Sequence, residues 1–251
     1  MKDKKYELVK EKAITRYGRT VYPIRALKSF ADVEKGEIGG YIESESNLSH
    51  EGDCWVYDNA VVCENAEVKN DAVVKNNSLV RGHAIVRDSS YVKENACVKD
   101  RAILYDNVVL RLNSCVQDYA TLAGSVLIHG EACIAGEATV SDNVMVTDNA
   151  RVDGRALLDG WFTVKGDAHI GCWGCINCYY DYYLCEIKEI KETPITFYKT
   201  YAGGIDVCVE GYCGSIKGFL NYMRKNYGNR ICGKSIIAFL KAYYHIFVKK
   251  G

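Results

Sequence analysis

The chain has 251 residues, room for one large domain or two small ones. Its 32 basic and 32 acidic side chains cancel to a formal net charge of zero, which excludes a body built wholly for polyanions but not a local basic patch. A hydrophobic content of 48% with only 2 prolines excludes a disordered chain. No linear apolar run approaches the roughly 18 residues a membrane span needs, and the N-terminus MKDKKYELVK lacks the apolar stretch of a secretory signal. The expectation is a cytoplasmic protein with no membrane partner, its 12 cysteines reduced.

Residues 1–51 read as an N-terminal cap with a β-hairpin. AITRYGRTVYPIRAL puts Gly18 in the turn and Pro23 in an edge strand, and the Gly-rich GEIGGYIES leads onward. From Gly52 to Gly171 the chain divides into 20 consecutive hexads with no insertion or deletion. The fifth position is always aliphatic, from Val56 and Val62 to Val164 and Ile170, and the third is small or β-branched, mostly Ala, with Phe162 the bulky exception. The first two positions are rich in Asp, Asn and Gly, which turn the chain and accept left-handed backbone angles. Alternation inside each block predicts a strand of about four residues, and three blocks close a triangular 18-residue coil. Coils stacked about 4.8 Å apart give a rod of roughly 30 Å over residues 52–171.

These blocks, such as Val56 to Val61, resemble the hexapeptide-repeat family of acyltransferases and γ-class carbonic anhydrases. The resemblance implies a mainly β protein, a left-handed triangular parallel β-helix. It implies no activity, because fold does not fix function. Catalytic members of that family carry a histidine in a coil or on an inserted loop. Here no loop interrupts the hexads, and no two of His50, His83, His129, His169 and His245 are separated by one coil, so none stack on one another. Converging zinc ligands are therefore not expected. The rod reads as a scaffold; the alternative is an acyltransferase-like enzyme with His129 as a base across a subunit boundary.

Outward positions fall into columns at 18-residue spacing. Val73, Tyr91, Val109, Leu127, Met145 and Thr163 form an apolar column that suggests an interface, and triangular rods of the resembled family commonly trimerise through such faces, so a homo-oligomer is expected. On the same strands Lys75, Lys93, Arg111, His129, Thr147 and Lys165 form a basic ladder. Like charges at strand spacing repel, so the ladder calls for an anionic ligand or an acidic partner, beyond the counter-charge that Glu94 and Asp148 supply. Tyr91 is the one aromatic beside it, which argues against nucleic acid. A second column, with Cys97, Cys115 and Cys133, reads as small apolar residues on a packed face rather than a redox or metal site. Charge is also divided along the chain. The hexads carry 11 basic and 17 acidic residues, and residues 172–251 carry 11 basic and 6 acidic.

Residues 172–251 lose the period and read as a small α+β domain. ITFYKTYAGGIDVCV gives two strands around Gly203–Gly204, Ser215 caps a helix running to Gly228, and a second helix spans about Lys234 to Phe247. Cys172, Cys175, Cys178 and Cys185 make C-x2-C-x2-C-x6-C, a pattern of thiolates suited to zinc or an iron–sulfur cluster. Its spacing fits neither common arrangement, so no cofactor is expected there.

Two stretches that bracket the rod, GEIGGYIESESNLSHEGDCWVYDNA at 36–60 and TFYKTYAGGIDVCVEGYCGSIKGFLNYM at 196–223, resemble bacteriophage- and prophage-encoded proteins of largely unknown role. That resemblance implies a phage accessory protein in the bacterial cytoplasm, binding a host protein or a small anionic ligand, with counter-defence as one form. A structural protein of the virion is the remaining alternative.

Overall fold

The structure, a computed structural model, describes residues 4–187 and 194–248. It is mainly β: coils stack in parallel into a β-solenoid, and a C-terminal antiparallel sheet and helix follow. The three walls of the rod are parallel sheets whose neighbouring strands come from successive coils, as in Val73–Tyr91–Val109 and Cys97–Cys115–Cys133.

The fifth-position aliphatics and third-position alanines fill the interior, and Val56, Val62, Ala60 and Ala66 are all fully buried. The strands are shorter than expected: most blocks pair through only two residues, such as Val61–Val62 and Cys97–Val98. The rest of each block is spent on the corner. There the first residue takes a positive φ, as in Asp58 (56°), Asn76 (62°), Glu94 (66°) and Asp106 (62°).

The corner residue also ties the coils together. At many Asp, Asn and Glu corners the side-chain oxygen accepts the backbone N–H of the corner 18 residues on, as Asp58 does from Asn76 at 3.0 Å, Glu94 from Leu112 at 2.8 Å and Asp106 from Gly124 at 3.0 Å. Asp, Asn and Glu therefore recur at this position for two reasons: tolerance of the left-handed conformation and a short acceptor reaching the next coil. Gly82 follows a tighter course, with φ 76°, and a Cβ there would lie 2.7 Å from the Asp100 backbone.

Stacked pairing extends past the hexads at both ends. Upstream, Tyr41 pairs with Val61 and Leu48 with Val68, a spacing of 20 rather than 18. The first coil thus carries two extra residues, which hide it from a strict period. Downstream, Cys175–Ile176 pairs with Leu157–Leu158. One wall runs from Ile38–Ile42 to His169–Ile170 through eight parallel strands, a length of about 34 Å at ~4.8 Å per strand.

Each end is closed. At the N-terminal end the hairpin forms, with Ile14–Arg16 against Arg19–Ala26 and the turn at Tyr17–Gly18. Pro23 is not in an edge strand. Its strand pairs on both sides, and a register shift between Pro23 and Arg25 accommodates the missing N–H. Lys5 is buried beneath this cap, where its ammonium donates to the carbonyls of Gly52 and Cys54, each at 2.9 Å. Burial holds its pKa below the ordinary lysine value.

At the C-terminal end a four-stranded antiparallel sheet (182–185, 195–199, 205–209, 212–215) covers the last coil. The His169 N–H donates to Thr196 Oγ1 at 2.8 Å and the Tyr182 hydroxyl to the Thr163 carbonyl at 3.0 Å. Tyr198 and Cys208 join the rod's own core, while Phe197, Val207, Phe219 and Met223 form a second core between sheet and helix. Ser215 caps the helix, accepting from the Gly218 N–H, and Gly228 breaks it with φ 79° and ψ 174°. Not every cysteine is reduced: Cys208 and Cys213, opposite one another on adjacent strands, form a disulfide.

Two tests follow from the stacking. Gly82→Val should cost about 2–3 kcal/mol in a denaturant melt, because it adds left-handed strain and a backbone clash. Ser90 and Ser114 occupy the third position, where Ala is usual, with buried hydroxyls that lack a hydrogen-bond partner. Ser90→Ala and Ser114→Ala should therefore be neutral or stabilise by up to about 1 kcal/mol, and a loss above that would show an overlooked role for the hydroxyl.

Candidate functional site

The ladder face belongs to the wall that runs from Trp55 to Thr163, and its pairing register puts Val73, Tyr91, Val109, Leu127 and Met145 side by side. Tyr91 and Met145 are exposed, and the other three are half-buried by their neighbours. Lys75, Lys93, Arg111 and His129 follow two residues after Val73, Tyr91, Val109 and Leu127, half-buried along the edge of the same face.

Their electrostatic partners are few. Arg111 Nε lies 3.9 Å from Glu94 Oε1, beyond hydrogen-bond reach, and is itself a buried donor with no acceptor. Glu94 is meanwhile occupied by the Leu112 N–H. Among the described residues, Lys75 and Lys93 form no ion pair, and the His129 ring forms neither an ion pair nor a hydrogen bond. Arg111 thus keeps one buried, unmet donor on a partly exposed guanidinium at the centre of a row of cations.

An open groove of about 660 Å³ begins where the ladder meets the N-terminal cap. Val73, Lys75, Asn76, Tyr57 and Tyr91 line it, together with Asp32, Asp53, Asp58 and Asp71. Asp58 accepts from Asn76, Asp71 from the Asp53 N–H, and Asp32 from the Tyr57 hydroxyl. Burial and then the Asp32 carboxylate push the Tyr57 pKa up, so its proton stays in place. The face is therefore dipolar: carboxylates gather at Lys75, and cations prevail from Lys93 to His129. The groove was not visible in the sequence, because Asp32 reaches it from the cap, across the extra residues of the first coil.

The cysteine column is also formed. Cys97, Cys115 and Cys133 are register partners, and their thiols hydrogen-bond in series. The bond from Cys115 holds the Cys97 pKa below the ordinary thiol value. The first and third thiols sit two strand spacings apart, roughly 9.6 Å, so one ion cannot touch all three.

Cys172, Cys175, Cys178 and Cys185 occupy separate elements: a corner, the last coil strand, the residue before a short 3-10 turn, and the antiparallel sheet. Among the described residues, the group that brings metal-ligating atoms together is instead His169, Cys208 and Cys213, within 4.8 Å of one another. Asp153 Oδ2 meets His169 Nε2 at 3.0 Å and accepts from Arg151 Nε at 2.7 Å, orienting the imidazole as a second carboxylate shell orients a metal-bound histidine. The Tyr198 hydroxyl touches both sulfurs, at 3.2 and 3.3 Å. With the disulfide formed the sulfurs are committed to each other, and only the reduced chain offers all three ligands. Sequence spacing could not reveal this group, since His169 ends the hexads and Cys208 and Cys213 arrive on a hairpin from the next domain.

Away from the ladder, the corners pair further cations with aromatic rings. Arg101 lies over Tyr119 and Arg155 over Trp173, with ring distances of 5.7 and 5.0 Å. The members of each pair are one full coil apart in the sequence, a signal that the period itself carried. No protein-family model matches the chain, and no curated protein matches it.

Burial alone would raise the Asp153 pKa, but hydrogen bonds from His169 and Arg151 outweigh it and hold the carboxyl below its ordinary 3.8. A depressed carboxyl contributes stability above its unfolded pKa and loses it as pH falls through the folded value. Wild type should therefore lose part of its cap stability below about pH 4. Asp153→Asn should lose about 1 kcal/mol at pH 7 and flatten the acid limb, as read from melts at several pH values.

Proposed function

We propose that the protein is a non-catalytic binding scaffold whose ladder face carries the recognition. The observation behind this reading is the row Lys75, Lys93, Arg111 and His129 beside Tyr91, with Arg111 Nε buried and without an acceptor. A buried donor beside unpaired cations is met at little cost by an anion brought from outside. The ligand class is a host protein with an acidic surface or a small anionic ligand. The carboxylate groove at the other end of the face favours the protein, since a partner with an acidic and a basic patch satisfies both ends at once.

The apolar column Val73, Val109, Leu127 and Met145 lies on the same face and supplies the buried contact that such an interface needs. Trimerisation through this face with the rods parallel would set the basic ladders against one another, so the reading gives the face to a different partner. With the resemblance to the hexapeptide-repeat family and to prophage-encoded proteins, the finer form is a phage accessory protein acting on a host component, as in counter-defence. An acyltransferase-like role has less support, because no carboxylate orients the His129 ring among the described residues.

Lys75→Glu/Lys93→Glu/Arg111→Glu should keep the wild-type melting temperature within a few degrees and capture at least tenfold less partner from bacterial host lysate. Equal capture by the variant would remove the ladder from recognition.

A further inference from the structure

The second half of the C-terminal helix has two apolar faces. Ile231, Ser235, Ala238, Ala242 and Ile246 are buried, on the side packed against the antiparallel sheet. On the opposite side Ile236, Ile237, Leu240, Tyr243, Tyr244 and Val248 are 41–58% exposed. Their spacing follows the helical repeat, so they form one continuous stripe about 18 Å long. Large apolar side chains so exposed on one stripe mark a contact surface.

The helix's own charge is of one sign, although Glu186 of the neighbouring segment lines a pocket with Lys234, Ile237 and Lys241. Residues 216–248 contain Lys217, Arg224, Lys225, Arg230, Lys234 and Lys241 and not a single Asp or Glu. By length and composition the helix is apolar enough to cross a bilayer, and 28% of its most apolar window is buried. Gly228 breaks its axis, however, and its inner face is committed to the sheet. A crossing helix would have to abandon that core, whereas a helix lying in the membrane plane keeps it. Tyrosines beside aliphatics, bordered by lysine and arginine stems, suit the headgroup boundary.

We infer that this stripe docks the protein on an anionic phospholipid bilayer, lying in the interface without spanning it. Charge complementarity selects this occupant: two copies pairing here would oppose two wholly basic helices, and a bare polyanion would leave the aliphatic side chains in water. The sequence expectation of no membrane partner rested on linear runs. Lysines interrupt every such run, but on the helix they separate from the exposed stripe.

The inference is independent of the ladder, whose residues lie on the rod. The full chain should co-sediment with mixed vesicles of phosphatidylcholine and phosphatidylglycerol at least tenfold more than with pure phosphatidylcholine. Leu240→Glu/Tyr244→Glu, at solvent-exposed sites, should keep the fold by circular dichroism and lose this binding. Arg230→Gln/Lys241→Gln should weaken it several-fold and reduce its salt dependence. Absence of binding to the anionic vesicles, or equal binding by Leu240→Glu/Tyr244→Glu, would overturn the inference. So would a wild-type dimer that Leu240→Glu/Tyr244→Glu converts to monomer with no vesicle binding by either form. Extraction from the vesicles by detergent alone, and not by high salt or carbonate, would mean spanning and would equally overturn it.

Discussion

The rod depends on its corners. Each corner residue sits in the left-handed region, where the chain reverses in very little length, and at many corners an Asp, Asn or Glu side-chain oxygen holds the amide of the corner above. The left-handed reversal sets coil size, because it must recur in every hexad. The side-chain contact sets stacking, because the acceptor must lie one strand spacing below its donor. The interior follows from the reversal. With corners so close, most blocks pair through only two residues, and the side chains beside a corner are mostly Ala, with Val and one Phe among them.

What the sequence made legible was whatever that corner repeats. The coil, the buried Val and Ala positions, the columns and the ladder all came from the period of one coil and are present in the expected register. The Ser215 cap and the break at Gly228 were legible for another reason, being local chemistry within a few residues. The parts that escaped are those that join distant segments. The first coil hid behind two extra residues before Trp55. Asp32 enters the groove from the cap, and Cys208 and Cys213 reach His169 from the antiparallel sheet. Pro23 was misread because strand propensity says nothing of which side a strand is paired on, and a bulge resolves the conflict.

The two surfaces proposed as functional differ in how they are built. The ladder is a product of the repeat, so its cations are spaced by the backbone and held on a rigid wall. The helix stripe is a product of a single amphipathic segment, and its position depends on the sheet beneath it. A protein resting on a membrane by its C-terminal end would hold the rod, and with it the groove at the far end, away from the lipid. The formal neutrality of the chain conceals this division, because the acidic rod and the basic tail cancel only in the sum.

The disulfide-bearing hairpin and the Lys5 plug close the two ends of a stack that can change length only by whole coils. Loss or gain of a single hexad inside it would turn every later side chain onto a different wall, whereas a few extra residues are taken up at a corner, as in the first coil. A complete coil could be removed while all the surviving contacts were kept. The distance from groove to cap is therefore quantised in steps of about 4.8 Å. Natural variation in the reach of such a rod should come as discrete steps, with intermediate lengths forbidden by geometry.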